Sequence, residues 1–408
     1  MPEAWIIEGA RTPRGKGKET GGLHEIHPQE LLAQVLQSLV ARTGIDPADV
    51  DDVVIGNNEN NGDHGSCIGR MAVLAAGWPN VTPGVTLNRF CGSGQQAVNF
   101  AAMGVMSGQQ DLVVGGGVES MSRWVRQGRL DFSAGNEALL ELHPLVPQGV
   151  SADLIATLEK FSRGDLDEFA VRSQERAEQA QKNGHFDRSL IPVLAADGSV
   201  ALDRDEHPRA GTTVASLAAL PPSFERQGRR VPEGGGSTYD EKCAIVYPEV
   251  GEVQHLHHAG NSSGIVDGAG ALLLASDEYA RAHGLRPRAR IVATGVTGAE
   301  PVIMLTAPGP AAARTLAKAK MSVADIDLWE INEAFAAIPL KAIRDLDIDT
   351  DRVNVNGGAI ALGHPIGATG AMLIGTVLDE LERQDKSTGL VVMCTGGGMG
   401  TATIIERI

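Results

Sequence analysis

The fold of this chain is decided by one stretch, Asn88-Arg-Phe-Cys-Gly-Ser-Gly-Gln-Gln-Ala-Val-Asn-Phe-Ala-Ala-Met-Gly-Val-Met-Ser-Gly108. A strand end leads into a tight glycine turn and then into a helix predicted at about 93–107. This helix is apolar on almost every face, which is typical of a helix buried in the middle of a domain. Its ~15 residues would span about 22 Å, the thickness of a domain core. We therefore expect the other elements to pack around it.

Cys91 lies where this helix begins. Unpaired N–H groups and the positive end of the helix dipole favour an anion at that place. A thiol there is predicted to lose its proton more easily, and the thiolate is the nucleophile. A free cysteine is also commonly inert packing. The Gly92-Ser-Gly94 turn favours a reactive sulfur because glycine permits close backbone approach, but on these residues alone both interpretations stay open.

Composition limits the class of protein. The 408 residues suggest two or three domains, and 42% hydrophobic residues can form large cores. The net charge of −16 argues against a nucleic-acid or anionic-membrane surface. The four cysteines are scattered without a CxxC pair, which indicates a reducing compartment, the cytoplasm, rather than a disulfide framework. We expect no secretory signal and no membrane span, because basic-apolar leader features and long apolar runs are missing.

Strands and helices alternate in two parts of the chain, which predicts an α/β fold. The first half is assigned to residues 1–121 and 254–275, and the second to 276–408. Between them, 122–253 has more charge and loses the strand rhythm, so we interpret it as an inserted loop domain. Each half has an apolar strand running into three glycines, which suggests two similar halves with reactive groups meeting between helix ends.

Two further reactive residues lie on sharp turns at element boundaries. His364 stands in Gly363-His-Pro-Ile-Gly-Ala-Thr-Gly370. A lone histidine is more often structural, although a pKa near neutrality makes it the usual base. Cys394 lies at a strand end before a glycine run, where backbone N–H groups can point into a site. With Cys91 these residues could supply a nucleophile, a base and a second acid/base.

Five ordered blocks of the chain look like those of the thiolase family. They are Asn88-Arg-Phe-Cys-Gly-Ser-Gly, Gly260-Asn-Ser-Ser-Gly, Asn332-Glu-Ala-Phe, Gly357-Gly-Ala-Ile-Ala-Leu-Gly-His-Pro-Ile-Gly-Ala-Thr-Gly and Cys394-Thr-Gly-Gly-Gly-Met-Gly. The resemblance runs from Ile6 to Glu406. It implies a thiolase-like fold of two similar α/β halves, stacked as α-β-α-β-α layers, with the inserted loop domain covering the CoA and acyl site.

The resemblance also implies residue roles. Cys91 attacks the acyl carbon and carries the acyl group as a thioester. His364 takes the Cys91 proton, and Cys394 shuttles the proton of the α-carbon or of the incoming CoA thiol. Asn332 positions a water at one oxyanion site, and the backbone N–H groups of Cys91 and Gly396 form a second.

Ser263 and Met304 match family positions near the pantetheine and acyl groups. The resemblance implies CoA as co-substrate, no permanently bound cofactor, and a homodimer or homotetramer. A hydratase/dehydrogenase subunit of a β-oxidation complex is a further expected partner.

The implied reaction is CoA-dependent thiolytic cleavage of 3-ketoacyl-CoA to acetyl-CoA and a shortened acyl-CoA, as in fatty-acid β-oxidation. Where many thiolases have His-Met-Gly, this chain has Pro147-Gln-Gly149, and 226–254 is longer than in short biosynthetic thiolases. Both differences favour degradative enzymes that resemble the β-subunits of fatty-acid oxidation complexes. The alternative is a biosynthetic acetoacetyl-CoA thiolase, which condenses two acetyl-CoA.

Other classes are less well supported. A ketosynthase-like enzyme would pair its cysteine with His/His or His/Asn, and Cys394 argues against it. A non-catalytic lipid-binding relative would lack one of the three reactive residues. Metal is not predicted at the histidines of 255–258, since no cysteine or carboxylate completes a tetrahedral set. Three arginines could meet CoA phosphates or form a solvated loop: Arg226, Arg229 and Arg230.

Overall fold

The computed structural model describes residues 2–124, 132–232 and 235–408. The predicted loop domain, 122–253, therefore includes residues outside the described part, and its boundaries stay a prediction. The strands, numbered in chain order, are β1 (Ala4–Arg11), β2 (Gly15–Lys16), β3 (Asp52–Gly56), β4 (Val85–Leu87), β5 (Leu112–Ser120), β6 (Val193–Leu194), β7 (Val200–Leu202), β8 (Val266–Ser276), β9 (Ala289–Gly298), β10 (Leu328–Ile331), β11 (Thr388–Thr395) and β12 (Met399–Arg407). The α-helices are α1 (Pro28–Thr43), α2 (Ile68–Ala75), α3 (Ser93–Met106), α4 (Glu137–Leu142), α5 (Gln148–Leu158), α6 (Arg163–Lys182), α7 (Val214–Ala218), α8 (Glu225–Gly228), α9 (Tyr239–Val246), α10 (Asp277–Ala282), α11 (Pro308–Ala319), α12 (Ala337–Leu346), α13 (Ala359–Leu362) and α14 (Thr369–Arg383).

A mixed sheet runs through the molecule in the order β10-β11-β12-β9-β1-β8-β5-β3-β4. Strand β3 is parallel to β4 and β5, and β10 is parallel to β11. Strands β1 and β9 meet through two pairs, Trp5 with Arg290 and Ile6 with Ala289. Because β1 and β9 pair over so short a length, the sheet divides into two groups of strands that lie in different layers. The first group is β1-β8-β5-β3-β4 and the second is β10-β11-β12-β9.

Helices fill the space between the two strand groups and cover their outer faces. Helices α3 and α14 share a buried cluster with both groups, which includes Val113 and Leu274 of the first and Val391 and Ile405 of the second. Helices α1 and α2 cover the first group, and α11 and α12 cover the second. The layers are therefore α-β-α-β-α, as the resemblance predicts.

The first turns of α3 and α14 lie against each other. A Cβ on Gly94 would come within 2.6 Å of the Gly367 carbonyl oxygen, and one on Gly370 would collide with Gln95. Only glycine permits this approach. The two central helices consequently start at the same place, one after Cys91 and one after His364.

The prediction that α3 is buried on every face is wrong. Ala97, Val98 and Ala101 face the core and are fully buried, whereas Phe100 is 45% and Met103 is 40% exposed. One face of the helix packs against α14 and the strands, and apolar residues outside that face are exposed to solvent in the single chain.

The inserted segment packs against the second half. Val150, Leu154 and Ile155 of α5 and Phe169 of α6 belong to the same buried cluster as Ile331 of β10. The start of α5 is thereby held next to the strands that carry Asn332 and Cys394. No helix in the described part of the chain is long and apolar enough to cross a membrane.

Candidate active site

Cys91 directly precedes Gly92, the N-cap residue of α3, and is 3% exposed. Phe90 before it has a positive φ of 49°, which a non-glycine residue rarely adopts. The Phe90 carbonyl accepts hydrogen bonds from the N–H and the hydroxyl of Ser93, at 3.0 and 2.6 Å. This closed turn fixes the Cys91 sulfur at the head of the helix.

The prediction of an easily deprotonated Cys91 is wrong for the free site. Burial raises the pKa of the Cys91 thiol to about 11. Hydrogen bonding from the Gln148 side-chain amide and from the backbone N–H groups of Gly396 and Cys91 acts in the opposite direction and lowers it. The loss of water around the sulfur raises the pKa more than the hydrogen bonds at the helix start lower it. Cys91 is therefore a thiol before substrate binds.

Cys394 lies near the end of β11 and is fully buried. Burial and the neighbouring Cys91 raise the pKa of its thiol well above the ordinary value. Both cysteines are free thiols. The second strand group thus places a second sulfur beside the first, although the two residues are far apart in sequence.

His364 is buried and neutral. Its Nδ1 lies 2.6 Å from the Thr369 hydroxyl, and its Nε2 lies 3.4 Å from Nδ2 of Asn332. Its backbone N–H donates to the Gly264 carbonyl at 2.9 Å. Burial, with the nearby Arg14 cation, lowers the pKa of His364 to about 3. A neutral imidazole can accept a proton, which suits a base.

Asn332 follows β10 and is held by its N–H, which donates to the Val392 carbonyl at 3.1 Å. Its Oδ1 is buried and has no hydrogen-bond partner among the described residues. Because an unpaired buried amide oxygen is unfavourable, this atom is well placed to hold a water beside His364.

Ser263 and Met304 are the two residues predicted near the pantetheine and acyl groups. The N–H of Ser263 donates to the Ala334 carbonyl at 2.9 Å, which places the 260–264 loop against the segment after Asn332. Met304 is fully buried in the same cluster as Cys394. The structure therefore places Cys91 beside Cys394 and Gly396, His364 beside Asn332, and Ser263 against the segment that follows Asn332.

Gln148 was not predicted as a site residue. It is the first residue of α5, directly after the N-cap Pro147, and its amide faces the Cys91 sulfur. A Cβ on Gly396 would lie 3.5 Å from the Gln148 Nε2. The signal in the sequence was the departure from His-Met-Gly at this place, which marks a change beside the nucleophile.

Glu119 was also missed. Its buried carboxylate accepts hydrogen bonds from the N–H groups of Asn58, Glu59 and Gly367, at 2.9, 3.0 and 2.9 Å, and from Nε1 of Trp124 at 2.8 Å. Burial raises its pKa to about 7. The carboxylate ties the turn that carries His364 to the loop after β3.

The histidines of 255–258 have carboxylate partners. Asp153 lies 2.9 Å from Nδ1 of His255 and 2.7 Å from Nδ1 of His257, and Asp167 lies 2.8 Å from Nε2 of His258. In the described residues, no group of three His, Cys, Asp or Glu could hold a metal ion. The pairs instead anchor α5 and α6 to the 255–258 segment.

Comparison with known proteins shows the family to which this chain belongs. The family models "Thiolase, N-terminal domain" and "Thiolase, C-terminal domain" match residues 4–234 and 285–407. The chain therefore belongs to the thiolase family and is an acyltransferase. It is similar to steroid 3-ketoacyl-CoA thiolase FadA6 of Mycobacterium tuberculosis, at 41% identity over 100% of this chain and 95% of that protein.

Other relatives have different substrates in their names. A β-ketoadipyl-CoA thiolase of Pseudomonas aeruginosa is 37% identical over 100% of this chain and 99% of that protein. The crystal structure of the Bacillus anthracis acetyl-CoA acetyltransferase matches with a TM-score of 0.84 and 36% identity, covering 100% of this chain and 99% of that one. The family and its fold are thereby shown.

Proposed function

We propose that this protein catalyses CoA-dependent thiolytic cleavage of 3-ketoacyl-CoA to acetyl-CoA and a shortened acyl-CoA. The observation that carries the proposal is that two buried, free thiols, Cys91 and Cys394, neighbour each other, while the starts of α3 and α14, which follow Cys91 and His364, lie against each other. Carbon–carbon cleavage needs a soft nucleophile and a separate acid for the leaving carbanion, and two sulfurs supply both.

In the first half-reaction the Cys91 sulfur attacks the 3-keto carbon while its proton passes to Nε2 of His364. The bond between the α- and β-carbons breaks, the acyl group stays on Cys91, and the Cys394 thiol gives its proton to the acetyl-CoA enolate. Because burial disfavours both a free thiolate and an imidazolium, the proton moves as negative charge develops on the substrate.

In the second half-reaction the Cys394 thiolate takes the proton of an incoming CoA thiol. The CoA sulfur attacks the thioester on Cys91, and Cys91 leaves as it regains the proton held by His364. The N–H groups of Cys91 and Gly396 stabilise one oxyanion, and a water held by Asn332 with His364 stabilises the other. Preorganised donors of this kind contribute ~3–4 kcal/mol each.

CoA is the proposed co-substrate, and no permanently bound cofactor takes part. Ser263 and Met304 are assigned to the pantetheine and acyl groups. The Ser263 N–H donates to the Ala334 carbonyl, two residues after Asn332, and Met304 is buried in the cluster that contains Cys394. Arg226 is exposed, and Arg229 forms an ion pair with Glu225 at 2.8 Å, so Arg226 is the better candidate for a CoA phosphate.

We assign the enzyme to degradation, as in fatty-acid β-oxidation, and to the cytoplasm, which the free thiols support. The alternative is a biosynthetic acetoacetyl-CoA thiolase, which is supported by the 38% identity to an acetyl-CoA acetyltransferase of Chromobacterium violaceum. Thiolysis rates along a 3-ketoacyl-CoA length series separate the two. Activity with longer chains supports degradation, and activity confined to acetoacetyl-CoA contradicts it.

We also propose a homodimer or homotetramer, with a hydratase/dehydrogenase subunit as a further partner. Strand β4 is one edge of the sheet, and Val85 on it is 42% exposed; Phe100 and Met103 on α3 are 45% and 40% exposed. An edge strand beside exposed apolar residues favours pairing with a second chain. Light scattering on wild type and Phe100→Glu tests this: a single-chain mass for the wild type contradicts the proposal.

A further inference from the structure

A pocket of about 370 Å³ lies over the start of α5. Its apolar walls are formed by Phe132, Leu140, Val146 and Pro147, and its polar side includes Tyr239 and Lys242 of α9. The volume falls in the ~300–1,000 Å³ range of small-molecule sites, and the mixed lining suits a chain with an apolar body and a polar end.

The walls of this pocket reach the nucleophile. The Phe132 ring packs edge-on against Phe90, with centroids 5.4 Å apart, and a Cβ on Gly396 would collide with that ring. Pro147 in the pocket wall directly precedes Gln148, whose amide faces the Cys91 sulfur. An acyl group on Cys91 therefore has the pocket directly beside it.

Lys242 is a partly buried cation on the polar side. Its Nζ lies 5.4 Å from the centroid of the Tyr239 ring, which is a weak cation–π contact. Burial lowers the pKa of Lys242, and within residues 2–124, 132–232 and 235–408 its ammonium forms no ion pair. A cation that loses water without gaining an anion is unfavourable, so a bound anionic group would stabilise the Lys242 ammonium.

Two more charged residues line the pocket. Arg230 adds a second cation. Glu137 is the one carboxylate among the described lining residues; it is exposed and lies in the first turn of α4. Since Glu137 is solvated and Lys242 is partly desolvated, the charge at Lys242 has the larger effect on a bound ligand.

We propose that this pocket binds a 3-ketoacyl chain that ends in a carboxylate, with the Lys242 ammonium paired to that carboxylate and the apolar walls against the methylene groups. The proposal rests on the thiolase function proposed above and names the substrate class of that site. The enzyme then prefers short dicarboxylic 3-ketoacyl-CoA over monocarboxylic chains of the same length.

The test compares kcat/KM for thiolysis of 3-oxoadipyl-CoA and 3-oxohexanoyl-CoA, which have the same number of acyl carbons. We expect the wild type to prefer 3-oxoadipyl-CoA by about tenfold or more, the size of one charge-assisted pair. Lys242→Met should abolish that preference through KM, and Lys242→Arg should restore most of it. Glu137→Gln, the control in the same pocket, should keep or increase the preference.

A wild-type preference for 3-oxohexanoyl-CoA, or an unchanged ratio in Lys242→Met, would overturn the proposal while leaving the thiolase function in place. The absence of thiolysis with both substrates would instead contradict the proposed function itself. Because the measured quantity is a ratio of two substrates on one preparation, partial misfolding of Lys242→Met lowers both rates and leaves the result interpretable.

Discussion

The ring of His364 is fixed in one tautomer by Thr369. Nδ1 lies 2.6 Å from the Thr369 hydroxyl oxygen, and that hydroxyl donates its own proton to the Pro365 carbonyl at 3.0 Å. A hydroxyl has one proton, so Thr369 accepts from Nδ1–H and Nε2 is left unprotonated. Nε2 faces Asn332, so the lone pair of the base points into the site.

Thr369→Val should therefore lower kcat by about tenfold or more, since the tautomer with a free Nε2 loses its support. Thr369→Ser, which keeps the hydroxyl, is the matched control and should stay near the wild-type rate. Steady-state thiolysis with circular dichroism on each variant measures this. Equal rates for the Val and Ser variants would contradict the tautomer assignment.

Gln148→Met should make the Cys91 thiol harder to ionise, because it removes an amide donor while keeping a side chain of similar size. The apparent pKa for iodoacetamide alkylation of Cys91 should rise by about 1 unit, the effect of one hydrogen bond to a charged atom. Peptide mapping assigns the alkylated cysteine. Gln227→Met, an exposed position on α8, should leave the profile unchanged; a matching shift there would remove the assigned role.

Stability at acid pH reports on His364. Burial lowers the pKa of His364 from 6.5 to about 3. Between these two pH values the imidazole is protonated in the unfolded chain and neutral in the folded chain. The contribution of the neutral ring to stability is full above pH 6.5 and is lost as the pH falls towards 3.

From about pH 7.5 to about pH 5, the free energy of unfolding in urea should fall by about 2 kcal/mol more in the wild type than in His364→Asn. His143→Asn, at an exposed position, should follow the wild type. The same slope in wild type and His364→Asn would show that His364 is not buried as a neutral ring.

Cys394→Ala should slow exchange of the acetyl-CoA α-proton with solvent much more than it slows acylation of Cys91 from an acyl-CoA. The reason is that Cys394 is assigned to the carbanion and Cys91 to the acyl group. Proton exchange followed by NMR and acylation followed by intact-mass spectrometry give the two rates. Slowing of both by the same factor would indicate a structural role for the buried sulfur.

The sequence predicted the reactive residues best where they lie on a turn formed by neighbouring residues of the chain. Cys91, His364 and Cys394 each stand beside glycines at the boundary of an element, and that pattern can be read without tertiary contacts. The similarity of the two halves also predicted that reactive groups meet between helix ends, and Gly94 and Gly367 permit the close approach of the two helix starts.

The features that the sequence did not predict depend on contacts between residues that are far apart along the chain. The helix start predicted a lowered pKa for Cys91, but burial by both halves raises it, and the sequence contains no measure of that desolvation. Gln148 comes from the inserted segment and has no motif of its own. Phe100 looked buried because apolar residues on all faces do not distinguish a core from an exposed apolar face.

The central claim is that the acyl group is carried on Cys91, and trapping the acyl-enzyme tests it most directly. The enzyme is mixed with a 3-ketoacyl-CoA in the absence of free CoA, quenched in acid, and analysed by intact-mass and peptide mass spectrometry. We predict the mass of the shortened acyl group on the peptide that contains Cys91, lost when CoA is added before the quench and missing in Cys91→Ser. An acyl group on another residue, or turnover by Cys91→Ser near the wild-type rate, would contradict the account.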